Sequence, residues 1–278
     1  MALYEYRYGS TLMTIKDVHV SYGGKPILRG INAEIKDIER PGQIEGQVVG
    51  ILGPSGIGKT SLFRVISGLE RPTSGGVFLN GEATPVKSGE VGVVAQSYPM
   101  LPHRSVLSNL VLAAGQKEKD SKAAHAKVLE SLSSFGLFDR RHLYPAQLSG
   151  GQRQRAAIIQ QLLCSNHFLL LDEPFSGLDI IAEEKVLQFL LQIANSDTLN
   201  TLILVSHDIS ALVSICDHLW LLGRDRDEKG EIVPGAYIKQ TYDLIKRELC
   251  WEKWQPNAMV RPAVAEFIRE VKDYFLTL

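Results

Sequence analysis

A chain of 278 residues, 45% hydrophobic and 22% charged, has room for one domain with a sizeable core and a tail, and its composition is ordinary for a soluble protein. Its formal net charge of -1 gives no electrostatic reason to expect nucleic acid or an acidic membrane surface as the main partner. No apolar run approaches the roughly 18 residues of a membrane span, no long apolar signal core opens the chain, and Cys164, Cys216 and Cys250 form no C-x-x-C pair, so a cytosolic protein without a cysteine metal site is expected.

Residues 1–12 read as a leader containing several aromatic side chains. Met13 to Val20 alternates apolar and polar residues with one change of phase, and Ile31, Ala33 and Ile35 alternate likewise, which predicts antiparallel strands with one wet face. Between them lies Ser21-Tyr22-Gly23-Gly24. Ile38 to Gly46, with Pro41-Gly42, reads as a polar loop to which no function is assigned.

The apolar run Gln47 to Leu52 is of strand type, and it delivers Gly53-Pro54-Ser55-Gly56-Ile57-Gly58-Lys59-Thr60, which fits G-x-x-x-x-G-K-[ST]. Thr60, Ser61 and the residues to Ile66 have helical spacing and stop near Gly68, so the motif sits between a strand and a helix. Glycines let the backbone fold into a nest of N–H donors, the helix N-terminus adds positive potential, and Lys59 brings a point charge for terminal phosphates. The Thr60 hydroxyl is suited to a Mg2+ ion bridging those phosphates. This stretch predicts nucleoside triphosphate binding, a property common to kinases, GTPases, helicases and transport motors.

Val77 to Leu79 runs into Asn80-Gly81, a tight-hairpin signal, and Val91 to Val94 is a short strand that ends just before Gln96. Ser121 to Phe135 carries Val128, Leu132 and Phe135 at helical spacing, with Gly136 as its stop. Then comes Leu148-Ser149-Gly150-Gly151-Gln152, in which Ser149 is placed to cap a helix running from about Gln152 to Cys164. Phe168 to Leu171 is an apolar strand ending in Asp172-Glu173, followed by Ser176-Gly177-Leu178-Asp179. Thr201 to Val205 presents Ser206-His207-Asp208, and His218 to Leu222 completes the core strands. Arg224 to Glu231 is dense in charge and reads as a turn or linker, while Tyr242–Trp254 and Pro262–Phe275 are helix-like segments.

With these ordered motifs, residues 13 to 223 resemble the ATP-binding subunits of ABC transporters. The resemblance implies an α/β fold: a P-loop NTPase core with a mainly parallel sheet, an N-terminal antiparallel β subdomain and an α-helical subdomain inserted at about 97–165. Residues 224–278 form a partly helical extension in this scheme. It implies that Tyr22 stacks on adenine, that Gly53 to Ser61 hold ATP, and that Gln96 meets the Mg2+ or the attacking water where the helical subdomain joins. Ser149, Gly150, Gly151 and Gln152 would face the γ-phosphate held by a second subunit, and Asp179 would sense that opposite site. Asp172, with Thr60 and Gln96, would serve Mg2+, Glu173 would polarise the attacking water, and His207 would contact the γ-phosphate. Gly177 stands where the family more often has Ala.

The implied partners are transmembrane permease subunits, a second copy of the chain or a homologous ATPase subunit, and a solute-binding protein reached through the permease, at the cytoplasmic face of a membrane. The tail resembles those of nitrate- and sulfonate-type importer subunits without naming a substrate, and the expected direction is import. Two alternatives stay open at this point: a soluble ABC ATPase acting on nucleic acid or the ribosome, and a nucleotide-gated regulatory module.

Overall fold

The computed structural model describes residues 6–40, 46–95, 97–165, 167–249 and 262–275. Strands β1 (Arg7–Tyr22), β2 (Lys25–Glu39) and β4 (Ser74–Leu79) form an antiparallel sheet of order β2-β1-β4. The second sheet has the order β5-β6-β7-β3-β8-β9 and comprises β3 (Gln47–Leu52), β5 (Gly92–Val94), β6 (Phe168–Asp172), β7 (Thr201–Ser206), β8 (His218–Gly223) and β9 (Tyr237–Asp243). All its pairings are parallel except that of β9 with β8. This is the P-loop NTPase type of α/β core expected from the sequence.

Strand β3 shows how the layers are held. Val49 and Ile51 pack with the antiparallel sheet and with α1 (Lys59–Ile66), whereas Val48 and Leu52 face a helical layer on the other side. That layer comprises α2 (Val106–Ala114), α3 (Ser121–Ser134), α4 (Gly150–Cys164), α5 (Ile180–Ala194), α6 (Ile209–Ile215) and α7 (Pro262–Phe275). A strand covered on both faces favours apolar residues on both, which is why residues 48–52 of β3, 168–171 of β6 and 202–205 of β7 read as apolar runs.

The phase change predicted in the first strand is a bulge. Met13, Ile15, Val18 and Val20 are all buried, and the register slips between Ile15 and Val18. Asp17, with φ of 45°, absorbs the extra residue. Gly75 crosses so close to this bulge that a Cβ there would lie 2.1 Å from the Asp17 carbonyl oxygen.

The structure departs from the sequence expectations in three places. Strand β1 begins at Arg7, so residues 7–12, expected in the leader, belong to the ladder, with Arg7 paired to Glu39 at 2.9 Å. The Tyr8 hydroxyl donates to Asp243 Oδ2 at 2.6 Å, and burial raises its pKa well above the usual tyrosine range. Tyr242 and Asp243, expected in a helix, instead close β9 opposite Leu219 and His218, and residues 244–248 form turns. The Tyr242 ring meets Phe267 of α7 edge-on at 5.1 Å, so sheet pairing and packing override the local helical spacing. The remainder of that segment, 250–254, lies outside the described residues.

The third departure concerns the polar loop. Ile38 is buried at the end of β2, and Arg40 beyond it is also buried. Arg40 Nη2 donates to Asp217 Oδ1 at 2.8 Å and Nη1 to the Gly46 carbonyl at 3.0 Å, while Asp217 Oδ2 accepts the Val48 N–H at 2.7 Å. The pair clamps the start of β3 to the α6–β8 connection. Asp217→Ala removes from a buried site the carboxylate that accepts from both the Arg40 guanidinium and the Val48 N–H, and is expected to lower unfolding free energy by about 3–5 kcal/mol. A urea titration checks this, and a loss below about 1 kcal/mol would mean that the clamp is dispensable.

Candidate active site

The five parallel strands β3, β5, β6, β7 and β8 all end on one edge of the sheet, where open α/β sheets place their ligands. Residues 53–58 leave β3 there and enter α1. Gly56 and Gly58 have φ of 74° and 116°, and Gly58 is the N-cap of α1. A side chain at Gly58 would be strained by its backbone and crowded, since a Cβ would meet Leu28 Cδ2 at 3.0 Å and Ile27 Cγ2 at 3.2 Å. Ile57 is buried and anchors the loop, while Ser55, Gly56 and Thr60 are exposed and Pro54 is half-buried.

Lys59 is buried, and its ammonium donates to the carbonyls of Gly53 at 2.7 Å and Pro54 at 3.2 Å. Burial lowers its pKa, against the opposing pull of the Glu173 and Asp172 carboxylates. Asp172 shows the complement: burial first, then the charge of Glu173, raises its pKa, and Lys59 draws it back. One cation and two anions are therefore electrostatically coupled across the ends of β3 and β6.

Glu173 adopts φ of 48°, uncommon for a residue with a side chain, and its N–H donates to the Val205 carbonyl at 2.8 Å. Both carboxylate oxygens lie 2.9 Å from His207 Nδ1, and the Ser206 hydroxyl donates to Oε2 at 3.2 Å. The imidazole and the hydroxyl, presented by the end of β7, hold that carboxylate in one orientation. Asp208 then caps α6 by accepting the Ala211 N–H at 3.0 Å.

Tyr22 stands at the end of β1, 46% exposed, and its hydroxyl donates to Glu70 Oε1 at 2.7 Å while lying 3.4 Å from Ser61 Oγ. It thus borders the first turn of α1. Ser149 caps α4, whose first residue is Gly150, two positions earlier than the sequence suggests. Ser149 Oγ accepts the Gln152 N–H at 3.3 Å and Gln152 Oε1 accepts the Ser149 N–H at 2.9 Å. This reciprocal capping box was readable from S-x-x-Q. Gly150 and Gly151 are exposed, and a Cβ on either would meet nothing within 4 Å. Asp179 is exposed and caps α5, accepting the Ala182 N–H at 2.8 Å.

The structure therefore gathers Tyr22, the phosphate loop, Asp172, Glu173 and His207 on one edge, and leaves the Ser149 and Asp179 motifs open to solvent. Gln96 lies outside the described residues. Sequence reasoning missed Gln154, which is buried and donates from Nε2 to the Pro174 carbonyl at 3.1 Å, tying α4 to the turn that follows Glu173. It also missed Ser206 as a partner of Glu173. Neither carries a local signal, because each acts on a residue about 20 or more positions away.

Residues 43–176 match the ABC transporter family. The chain is 36% identical over 212 residues to the spermidine/putrescine import ATP-binding protein PotA of Legionella pneumophila subsp. pneumophila, covering 75% of this chain and 56% of that one. It is 36% identical over 222 residues to the probable sulfate/thiosulfate import ATP-binding protein CysA of Chlorella vulgaris, covering 79% and 88%. With the arginine transport ATP-binding protein ArtM of Bacillus subtilis the identity is 32% over 239 residues, covering 83% and 93%. The chain thus spans little more than half the length of PotA and most of CysA and ArtM.

Among solved structures, the ATP-binding cassette MJ0796, dimeric in a post-hydrolysis state bound to ADP and Pi, superposes with a TM-score of 0.65 at 25% identity, covering 84% of this chain and 99% of that one. The fold alone is shared with cbiO1 from Clostridium perfringens, part of the cbiONQ transporter complex, at a TM-score of 0.70 and 21% identity over 95% and 100%. Fold and edge geometry together are those of a P-loop NTPase core. The chain belongs to the ABC transporter family, as one of its ATP-binding subunits.

Proposed function

We propose that the chain hydrolyses ATP to ADP and phosphate and uses the ATP-bound closure of two cassettes to power import of a solute through a membrane permease. The observation that carries the reading is the Glu173 carboxylate held at 2.9 Å by His207 beside the phosphate loop, an arrangement suited to orienting a base toward water. A module that only sensed nucleotide would have no chemical need for that pair. The relatives' names speak for import rather than for action on nucleic acid or the ribosome.

In this reading Tyr22 supports the adenine, the loop from Gly53 to Ser61 cradles the phosphates, and Lys59 turns from the loop carbonyls toward them. Thr60 and Asp172 would hold Mg2+, with Gln96 as a third candidate. The donors fit, since a hydroxyl and one carboxylate match an ion that keeps most of its waters, and a cation would offset the cost of burying the Asp172 charge. Bound there, Mg2+ would neutralise charge on the phosphate oxygens. Ser149, Gly150 and Gly151 of one cassette would close on the phosphate held by another, which accounts for a capped helix N-terminus left open on the single chain. ATP can favour the closed pair only through contacts made better there, and these are the contacts it would gain.

We assign residues 13–223, lengthened at their start by residues 7–12 of β1, to the ATPase domain with its helical subdomain at 97–165, residues 224–278 to an extension whose β9 joins the six-stranded sheet, and the surface near Gln96 to Ser108 to docking a cytoplasmic segment of the permease. A binding protein would be met only through that permease. The site would then work at the cytoplasmic face of the membrane. Purification of the tagged chain from native membranes is expected to bring down integral membrane subunits. Recovery from the soluble fraction alone, with ribosomes or DNA, would favour the rival reading.

A further inference from the structure

The turn after β8 brings a second cation to the phosphate loop. Arg224 follows the last residue of β8, and its Nη2 donates to the Gly56 carbonyl at 3.2 Å. The N–H of that same peptide, on Ile57, donates to the Pro54 carbonyl at 3.3 Å, so the peptide at the tip of the loop is held at both ends. Arg224 Nε is buried without a hydrogen-bond partner, and among the described residues the guanidinium makes no ion pair. A permanent charge left without a counter-ion at the rim of an anion cradle is a chemical statement about what the cradle receives.

The neighbouring carboxylate does not neutralise it. Asp225 accepts from Arg29 Nη2 at 2.7 Å and from the Tyr237 hydroxyl at 2.7 Å, and it pairs with Lys239 at 3.4 Å. These bonds hold the carboxylate's pKa below the usual range. The hairpin between β8 and β9 is also hooked onto β2, through Arg29 N–H to the Ala236 carbonyl and Ala236 N–H to the Ile27 carbonyl, each at 2.8 Å. Ile27 and Leu28 are the side chains packed against Gly58. The hairpin therefore reaches the phosphate loop twice, directly at Gly56 and through β2 at Gly58.

We propose that Arg224 is a positioning residue for nucleotide phosphates: it fixes the tip of the phosphate loop from outside and adds a cation to its field, so that the β8–β9 hairpin helps set affinity for ATP. This rests on the phosphate loop being the ATP site. Arg224 acts through the loop backbone, and no direct contact with the reacting atoms is assigned to it.

Titrations of the full chain with ATP, ADP and adenosine, at low and high salt, test the proposal. Arg224→Gln is expected to weaken ATP and ADP about tenfold at low salt, the loss of one charge-assisted contact, with adenosine affinity and melting temperature unchanged. The wild type should lose ATP affinity with salt more steeply than the variant. Arg224→Lys should regain part of the loss, because the charge returns without the planar fork. In steady state KM for ATP should rise more than kcat falls. ATP binding by Arg224→Gln within twofold of wild type, or an equal loss for adenosine, overturns the proposal. A wild type that binds no ATP, or a Lys59→Ala protein that binds it normally, would instead overturn the assignment of the loop itself.

Discussion

Glu173→Gln, given saturating ATP and Mg2+, is expected to elute at twice its monomer mass and to return to monomer with ADP, while its hydrolysis rate falls by about 100- to 10,000-fold. The glutamine keeps the side-chain shape but removes the carboxylate that His207 and Ser206 hold. Cleavage slows, and two ATP molecules bridging two chains remain as the link between them. The wild type should dimerise only briefly. Adding Ser149→Arg should abolish the dimer, since a long cationic stem would fill the open cap where a phosphate edge is to dock. Light scattering gives the readout. A monomeric Glu173→Gln at saturating ATP, repeated with the permease present, would refute the composite site.

Lys59→Ala should bring hydrolysis to background and weaken ATP binding by roughly 10- to 100-fold, the effect of losing one charge-assisted contact worth about 1.5–3 kcal/mol. The fold should survive, because among the described residues the ammonium bonds to the carbonyls of Gly53 and Pro54 and not to the sheet beneath. Removing the cation also takes away the charge that draws the pKa of Asp172 back down, so that pKa should move further up. Wild-type turnover in the purified variant would remove the loop from the mechanism.

The phosphate loop was legible because its constraints are local. Gly56 and Gly58 sit at backbone angles that side chains rarely adopt, Lys59 opens the helix, and an apolar strand stands just before them. Ser149 was legible as a cap for the same reason, within three residues of its partner. What escaped were pairings over long separations. Arg40 meets Asp217 across 177 positions, and Arg224 meets Gly56 across 168. Nothing near either arginine reports its partner. Strand β9 was obscured differently: Tyr242 and Ile245 fit a helical period, and only the open edge of β8 decides for a strand. The bulge at Asp17 lay between these extremes, visible as a phase change but without its left-handed residue.

The borders of the two sheets bear on how the protein survives at high concentration. One border of the six-stranded sheet, β5, is only three residues long, and the other, β9, carries Lys239 and exposed Gln240. In the smaller sheet the outer strand β2 displays Lys25, Glu34, Lys36, Asp37 and Glu39. Short or charged borders discourage a stray strand from another molecule from adding to the ladder. Copies of the chain crowded together during synthesis should therefore resist clumping through their sheets, so that the association proposed at the Ser149 cap would not have to compete with strand addition.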